Sequence, residues 1–240
     1  MFITKIAFLS SSYPTIDHYP FNLDIFRESK EVNLSRPVSF FIGENGSGKS
    51  TLLRAIAAKC RIYLWGNIDR TRATYNKYEE ALYQYIDLQK TNGHIVGSFF
   101  NAEVFNNFAR ILDEWASSDP GVLDYFGGES LVTKSHGQRD MAFFASRFRK
   151  KGLYLLDEPE NALSPRRQLE LLRILHATGK TGDVQYIIAT HSPILLSLPG
   201  ADIFSFDEAP ISTIKYEDSD YYRIYKDFMT DRSSYLNDIE

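Results

Sequence analysis

Gly43-Glu44-Asn45-Gly46-Ser47-Gly48-Lys49-Ser50-Thr51 stands between the apolar segment Val38-Ser39-Phe40-Phe41-Ile42 and the run Leu52-Leu53-Arg54-Ala55-Ile56-Ala57-Ala58. The nine residues satisfy the spacing G-x-x-x-x-G-K-[ST]. The β-branched and aromatic residues before them read as a buried strand, and the run after them reads as a helix. A strand feeding a glycine loop that opens a helix aims several backbone N–H groups and the positive helix end at one point. Polyphosphate is the anion that fits such a nest. All of Gly43, Glu44, Asn45, Gly46, Ser47, Gly48, Lys49, Ser50 and Thr51 are therefore expected to bind a nucleotide. Lys49 would reach the β- and γ-phosphates, and the Ser50 hydroxyl would hold Mg²⁺. The alternative, a glycine-rich turn before an ordinary helix, is outweighed by the two correct flanks.

The rest of the chain bounds what the nucleotide can serve. With 240 residues, 43% hydrophobic and 24% charged, it can bury the core of one large α/β domain or of one domain with an inserted lobe. A net charge of -4 argues against a basic nucleic-acid footprint over the whole surface, though not against a local patch. The single cysteine, Cys60, forms no internal disulfide and belongs to no metal-ligand spacing, so a cytoplasmic, reducing setting is expected. No apolar run approaches the length of a membrane span. Met1 to Leu9 lacks a basic start and a small-residue cleavage site, and reads as a first strand.

The expected architecture is a mostly parallel sheet flanked by helices, in a single domain over 1–240, with an inserted helical lobe at about 66–134. Arg72 to Lys90 and Asn101 to Ser117 show helix-like spacing. Leu153 to Leu156 and Val184 to Ala189 are continuous apolar runs, the mark of strands buried on both faces. Between them, Pro165 to Ala177 reads as a helix with Ser164 as its N-cap. Ala201 to Phe206 reads as another strand. Tyr216 to Glu240 reads as helical, with Tyr222, Tyr225, Phe228 and Met229 facing inward.

The chemistry-bearing residues cluster around these strands. Leu153 to Leu156 ends in Asp157-Glu158, an apolar strand delivering two carboxylates. Next to a phosphate loop, Asp157 is the expected Mg²⁺ partner, and Glu158 the group that orients or deprotonates the attacking water. His191 follows the strand that ends at Thr190, on the edge where parallel sheets bind ligands, and is expected to meet the γ-phosphate or the water.

With Pro159-Glu160-Asn161-Ala162-Leu163-Ser164 after Asp157-Glu158, and with Ala189-Thr190-His191-Ser192-Pro193, the chain resembles the ABC-type ATPases over nearly its whole length. It is most similar to their soluble, non-transporter branch of RecF-like, SMC-like and AAA_21-type ATPases. The resemblance implies the P-loop NTPase fold of that type, ATP and Mg²⁺ as ligands, and Mg-dependent ATP hydrolysis. It also implies a catalytic set of Lys49, Glu158 and the switch histidine His191, with Asn161 to Leu163 as a loop touching a partner subunit. The family's signature loop is matched by Lys134-Ser135-His136-Gly137-Gln138. Ser135, Gly137 and Gln138 agree with it, and would cap the γ-phosphate bound to a second copy; Lys134 and His136 depart. Ser-x-x-Gln is equally a capping box, and the two readings are compatible. Glu103 stands where transporter ATPases carry a metal-contacting Gln, or else is a helix-start carboxylate. Tyr19 is the candidate adenine-stacking face, with Tyr13 and Phe21 as rivals, although core packing competes for any one aromatic here.

The leading expectation is an ATP-driven homodimer, its two sites each shared between chains, in a soluble role such as DNA repair or defence with DNA or an effector protein as partner. The alternative is the ATP-binding subunit of a transporter coupled to a membrane permease. The basic run Arg147-Phe148-Arg149-Lys150-Lys151 is either a solvated helix end or a DNA contact. A phosphate-loop kinase has no use for the residues after Asp157, for His191 or for the signature.

Overall fold

Two sheets organise the chain in a computed structural model that describes residues 1–62, 76–91, 93–101, 115–119, 121 and 136–236, the backbone alone over 136–139. The larger runs in the order β5 (Gly97–Asn101), β6 (Gly152–Asp157), β7 (Val184–Ala189), β3 (Val38–Ile42), β8 (Asp202–Ser205) and β9 (Ser212–Thr213). It is parallel except for its last pair. The smaller is antiparallel, with β1 (Ile3–Phe8) between β2 (Glu31–Asn33) and β4 (Ile86–Lys90).

Strands β3, β6 and β7 are buried at every position, which is why they read as unbroken apolar runs. Successive side chains still alternate between faces. Phe41, Leu153, Leu155, Ile187 and Ala189 join one core with the helix α2 (Lys49–Cys60) and with the smaller sheet. Phe40, Ile42, Tyr154, Leu156, Tyr186 and Ile188 join the other with helices α3 (His136–Arg147) and α4 (Pro165–Gly179). Helix α2 thus lies between the two sheets, its first turn pinned at the end of β3; α1 (Asp24–Glu28) and α5 (Pro193–Leu196) are short helices.

Polar ties complete the packing. Gln185, fully buried in β7, accepts from Phe2 N (2.7 Å) and Ile3 N (2.9 Å) and donates to Ile3 O (2.7 Å), joining the two sheets. The Tyr154 hydroxyl lies 2.6 Å from both Arg147 O and Lys150 O and anchors the end of α3. Ring contacts of Phe144 with Phe100 (4.8 Å) and Phe148 (5.1 Å) seat that helix on the sheet. Ser164 caps α4 by accepting from Arg167 N, and Pro165 occupies its first turn, as the sequence implies.

Three expectations change. The helical spacing over Arg72 to Lys90 does not make one helix: Ala81–Tyr85 is a 3₁₀ turn and β4 follows, alternately buried and exposed. Strands β4 and β5 of the two sheets fall within the segment 66–134, where helices are expected; of its other residues, 76–85, 91, 93–96, 115–119 and 121 are described. Helix α6 (Asp220–Thr230) exists, but it buries none of its residues fully. Tyr225 and Met229 face solvent, 53% and 77% exposed, because no element covers that side among the described residues.

Candidate functional site

Parallel strands put their C-terminal ends on one edge, so Asn101 at the end of β5 and the residues following β3, β6, β7 and β8 meet there. The ladder continues past the strands: Glu158 N donates to Ala189 O, Thr190 N to Phe41 O and Phe206 N to Ile42 O. These bonds hold the loop starts rigidly.

The loop from Gly43 to Gly48 turns through left-handed backbone that favours glycine, with φ of 141° at Gly43 and 104° at Gly48. A side chain at Gly48 would also meet the Phe26 ring at 2.8 Å. Lys49 is 4% exposed, and its Nζ donates to Gly43 O (2.6 Å) and Glu44 O (2.8 Å). Burial pushes the ammonium below the usual lysine range, while Glu158, Asp207 and Asp157 pull it back. Its charge is therefore costly and available to an anion. Glu44 N donates to Asp207 Oδ1 at 2.9 Å, bracing the loop from the end of β8.

Asp157 is 2% exposed; Ser50 Oγ donates to its Oδ1 (2.7 Å) and Asn101 Nδ2 to its Oδ2 (3.1 Å). Burial pushes this carboxyl up, and those two hydrogen bonds pull it down. No described residue forms an ion pair with it. A desolvated carboxylate touching a serine hydroxyl is a hard oxygen donor set, and it fits Mg²⁺ sharing its remaining positions with phosphate and water.

Glu158 adopts left-handed backbone, φ 49° and ψ 55°, ahead of Pro159. The following proline disfavours αR there, and αL costs a non-glycine residue roughly 1–2 kcal/mol. The turn aims the carboxylate across the edge. Its Oε2 accepts from Asn161 Nδ2 (2.8 Å) and its Oε1 lies 3.4 Å from His191 Nε2. The His191 N–H donates to Glu160 Oε1 at 2.6 Å, and burial pushes the Glu160 carboxyl up. His191 Nδ1 is 2.8 Å from the Tyr221 hydroxyl, which donates to Gly43 O at 2.9 Å.

Lys49, Ser50, Asp157, Glu158 and His191 thus converge on one edge. Tyr19 lines a 140 Å³ cavity with Thr51, Arg54 and Tyr83, its hydroxyl against the Thr51 hydroxyl. Its rivals belong to the core: Phe21 is fully buried, and Tyr13 packs on it at 4.7 Å while donating to Phe26 O. Ser135 and Glu103 lie outside the described residues. Gly137 and Gln138 fall in the first turn of α3. Asn101, the last residue described before Glu103, is itself hydrogen-bonded to Asp157. Asn101, Glu160, Asp207 and Tyr221 were not among the candidates. Asp207 had a signal, since it follows a strand of the parallel sheet; Tyr221 had none.

Family models match two parts of the chain. One, described as "AAA domain", covers residues 21–100, and the other, "AAA domain, putative AbiEii toxin, Type IV TA system", covers residues 129–197. The hemin import ATP-binding protein HmuV of Rhodopseudomonas palustris (strain ATCC BAA-98 / CGA009) is 28% identical over 202 residues, 73% of this chain and 74% of its own length. The thiamine import ATP-binding protein ThiQ of Haemophilus influenzae (strain 86-028NP) is 29% identical over 172 residues, 63% of this chain and 74% of its own. The structure of cbiO1 from Clostridium perfringens, part of the ABC transporter complex cbiONQ, superposes with a TM-score of 0.52 at 20% identity, covering 99% of this chain and 98% of that one. At that identity the likeness establishes the fold.

Proposed function

We propose that this chain, which by its fold and its matches is of the ABC ATPase type, hydrolyses ATP with Mg²⁺ in a site completed by a second copy of itself. The observation that carries the reading is the convergence of Lys49, Ser50, Asp157, Glu158 and His191 on one sheet edge, beside the glycine loop that opens helix α2. Lys49 would exchange the carbonyls of Gly43 and Glu44 for β- and γ-phosphate oxygens. Ser50 and Asp157 would hold Mg²⁺, which when bound neutralises charge on the transferred phosphoryl group. Glu158 would accept a proton from the attacking water.

The half-site is open. Glu44, Asn45 and Gly46 are exposed, and the Glu158 and His191 side chains are 29% and 28% exposed. Hydrolysis in a water-excluded site needs a covering surface, and the segment at 134–138 of a second copy is the candidate, with Ser135 touching the γ-phosphate. Glu158→Gln keeps the side chain's size and its contact with Asn161. It is expected to retain ATP affinity and to lower kcat roughly 10²–10⁴-fold in a phosphate-release assay. A variant that turns over at the wild-type rate would remove Glu158 from the chemistry.

A soluble role on DNA or an effector protein is the reading we favour for what the cycle drives, from the resemblance at residues 157–164 and 189–193. The second reading, coupling to a permease, is favoured by the names of the curated relatives. No described helix is long and apolar enough to cross a membrane. Co-purification with the Glu158→Gln variant separates the two: a membrane protein retained only with ATP supports the permease.

A further inference from the structure

Tyr221 belongs to no motif, yet its hydroxyl bridges the phosphate loop and His191. Gly43 O can only accept, so the single phenolic proton is spent on it at 2.9 Å. The Tyr221 oxygen, 2.8 Å from His191 Nδ1, is then left as an acceptor, and Nδ1 must carry a hydrogen. In the neutral imidazole the other nitrogen, Nε2, holds a lone pair. That atom is buried, without a hydrogen-bond partner in the described structure, 3.4 Å from Glu158 Oε1.

We propose that Tyr221 is a positioning residue that fixes neutral His191 as its Nδ1–H tautomer, so that Nε2 and Glu158 Oε1 stand as two neighbouring acceptors. The proposal rests on the ATPase reading of the same site. A water admitted to that pair would give one hydrogen to each acceptor and keep a lone pair free to attack. A neutral His191 in this tautomer cannot donate from Nε2 to a phosphate oxygen. Tyr221 keeps its proton for the task, because burial, with Asp207 and Glu44 nearby, pushes its pKa up to about 12. The charged and titratable groups around His191 are Glu158 after β6, Glu160 in the next turn and Tyr221 on α6, with Lys49, Glu44 and Asp207 beyond Gly43.

The test is ¹⁵N NMR of the imidazoles in the nucleotide-free protein at neutral-imidazole pH, His191 being assigned among the five histidines by its loss in His191→Asn. Wild type is expected to show a protonated Nδ1 and a bare Nε2. Tyr221→Phe keeps the ring, whose centroid lies 5.4 Å from that of His191, and is expected to move the population toward Nε2–H. It should also lower kcat about tenfold with KM for ATP nearly unchanged. A wild-type His191 protonated at Nε2, or a tautomer indifferent to Tyr221→Phe, overturns the proposal. The wild-type spectrum decides even if the variant does not fold. It needs no turnover, so a protein without ATPase activity would refute the functional reading while leaving the tautomer measurable.

Discussion

Asp157 sits buried with a charge that the folded chain alone does not welcome. Because burial holds its carboxyl above the ordinary aspartate value, the folded chain binds more protons than the unfolded one between those two values. Stability therefore falls as pH rises through that window and stays lower at neutral pH. Asp157→Asn removes the charge and keeps an acceptor for Ser50 Oγ. It is expected to raise the melting temperature of the nucleotide-free protein, measured by calorimetry at neutral pH, while Mg-dependent turnover falls at least ~10²-fold. A lowered melting temperature would show that the charged form is well accommodated and that the site is not poised for a cation. Glu158, His191 and Lys49 could be picked out from the sequence because each stands at a fixed offset from an apolar strand or from the glycine loop. Tyr221 could not, since its partners are 30 and 178 positions away and fourteen other tyrosines compete with it.

At the scale of elements, legibility followed length and burial. β3, β6 and β7 announced themselves because both faces are covered. β4 did not, because Ile86 and Leu88 alternate with Asp87 and Gln89 over only five residues, too few to outvote the helical spacing upstream. Helix α6 was legible as a helix, yet an apolar stripe says nothing of what lies over it. Its first turn is tied to the site through Tyr221, whereas Tyr225 and Met229 lie open. Besides the shared apolar core, Gln185 ties the two sheets through hydrogen bonds. Replacing it with Leu strands the N–H groups of Phe2 and Ile3 and the carbonyl of Ile3, at about 1–3 kcal/mol for each unsatisfied group. Urea unfolding is expected to show a loss of about 3 kcal/mol; a loss below about 1 kcal/mol would mean that water or a shifted β1 replaces those bonds.

For the whole molecule, the parallel sheet explains why residues as distant as Ser50, Asp157 and His191 share an edge. It does not say what covers that edge. The segments that would answer, around Glu103 and Ser135, carry too few defining residues for the sequence to specify their contacts. On the proposed reading this edge is half of a site. Light scattering on Glu158→Gln measures it most directly, with and without saturating ATP and Mg²⁺. The mass of one chain without nucleotide and of two chains with it is the predicted result; a mass that stays at one chain with ATP bound would contradict the shared site.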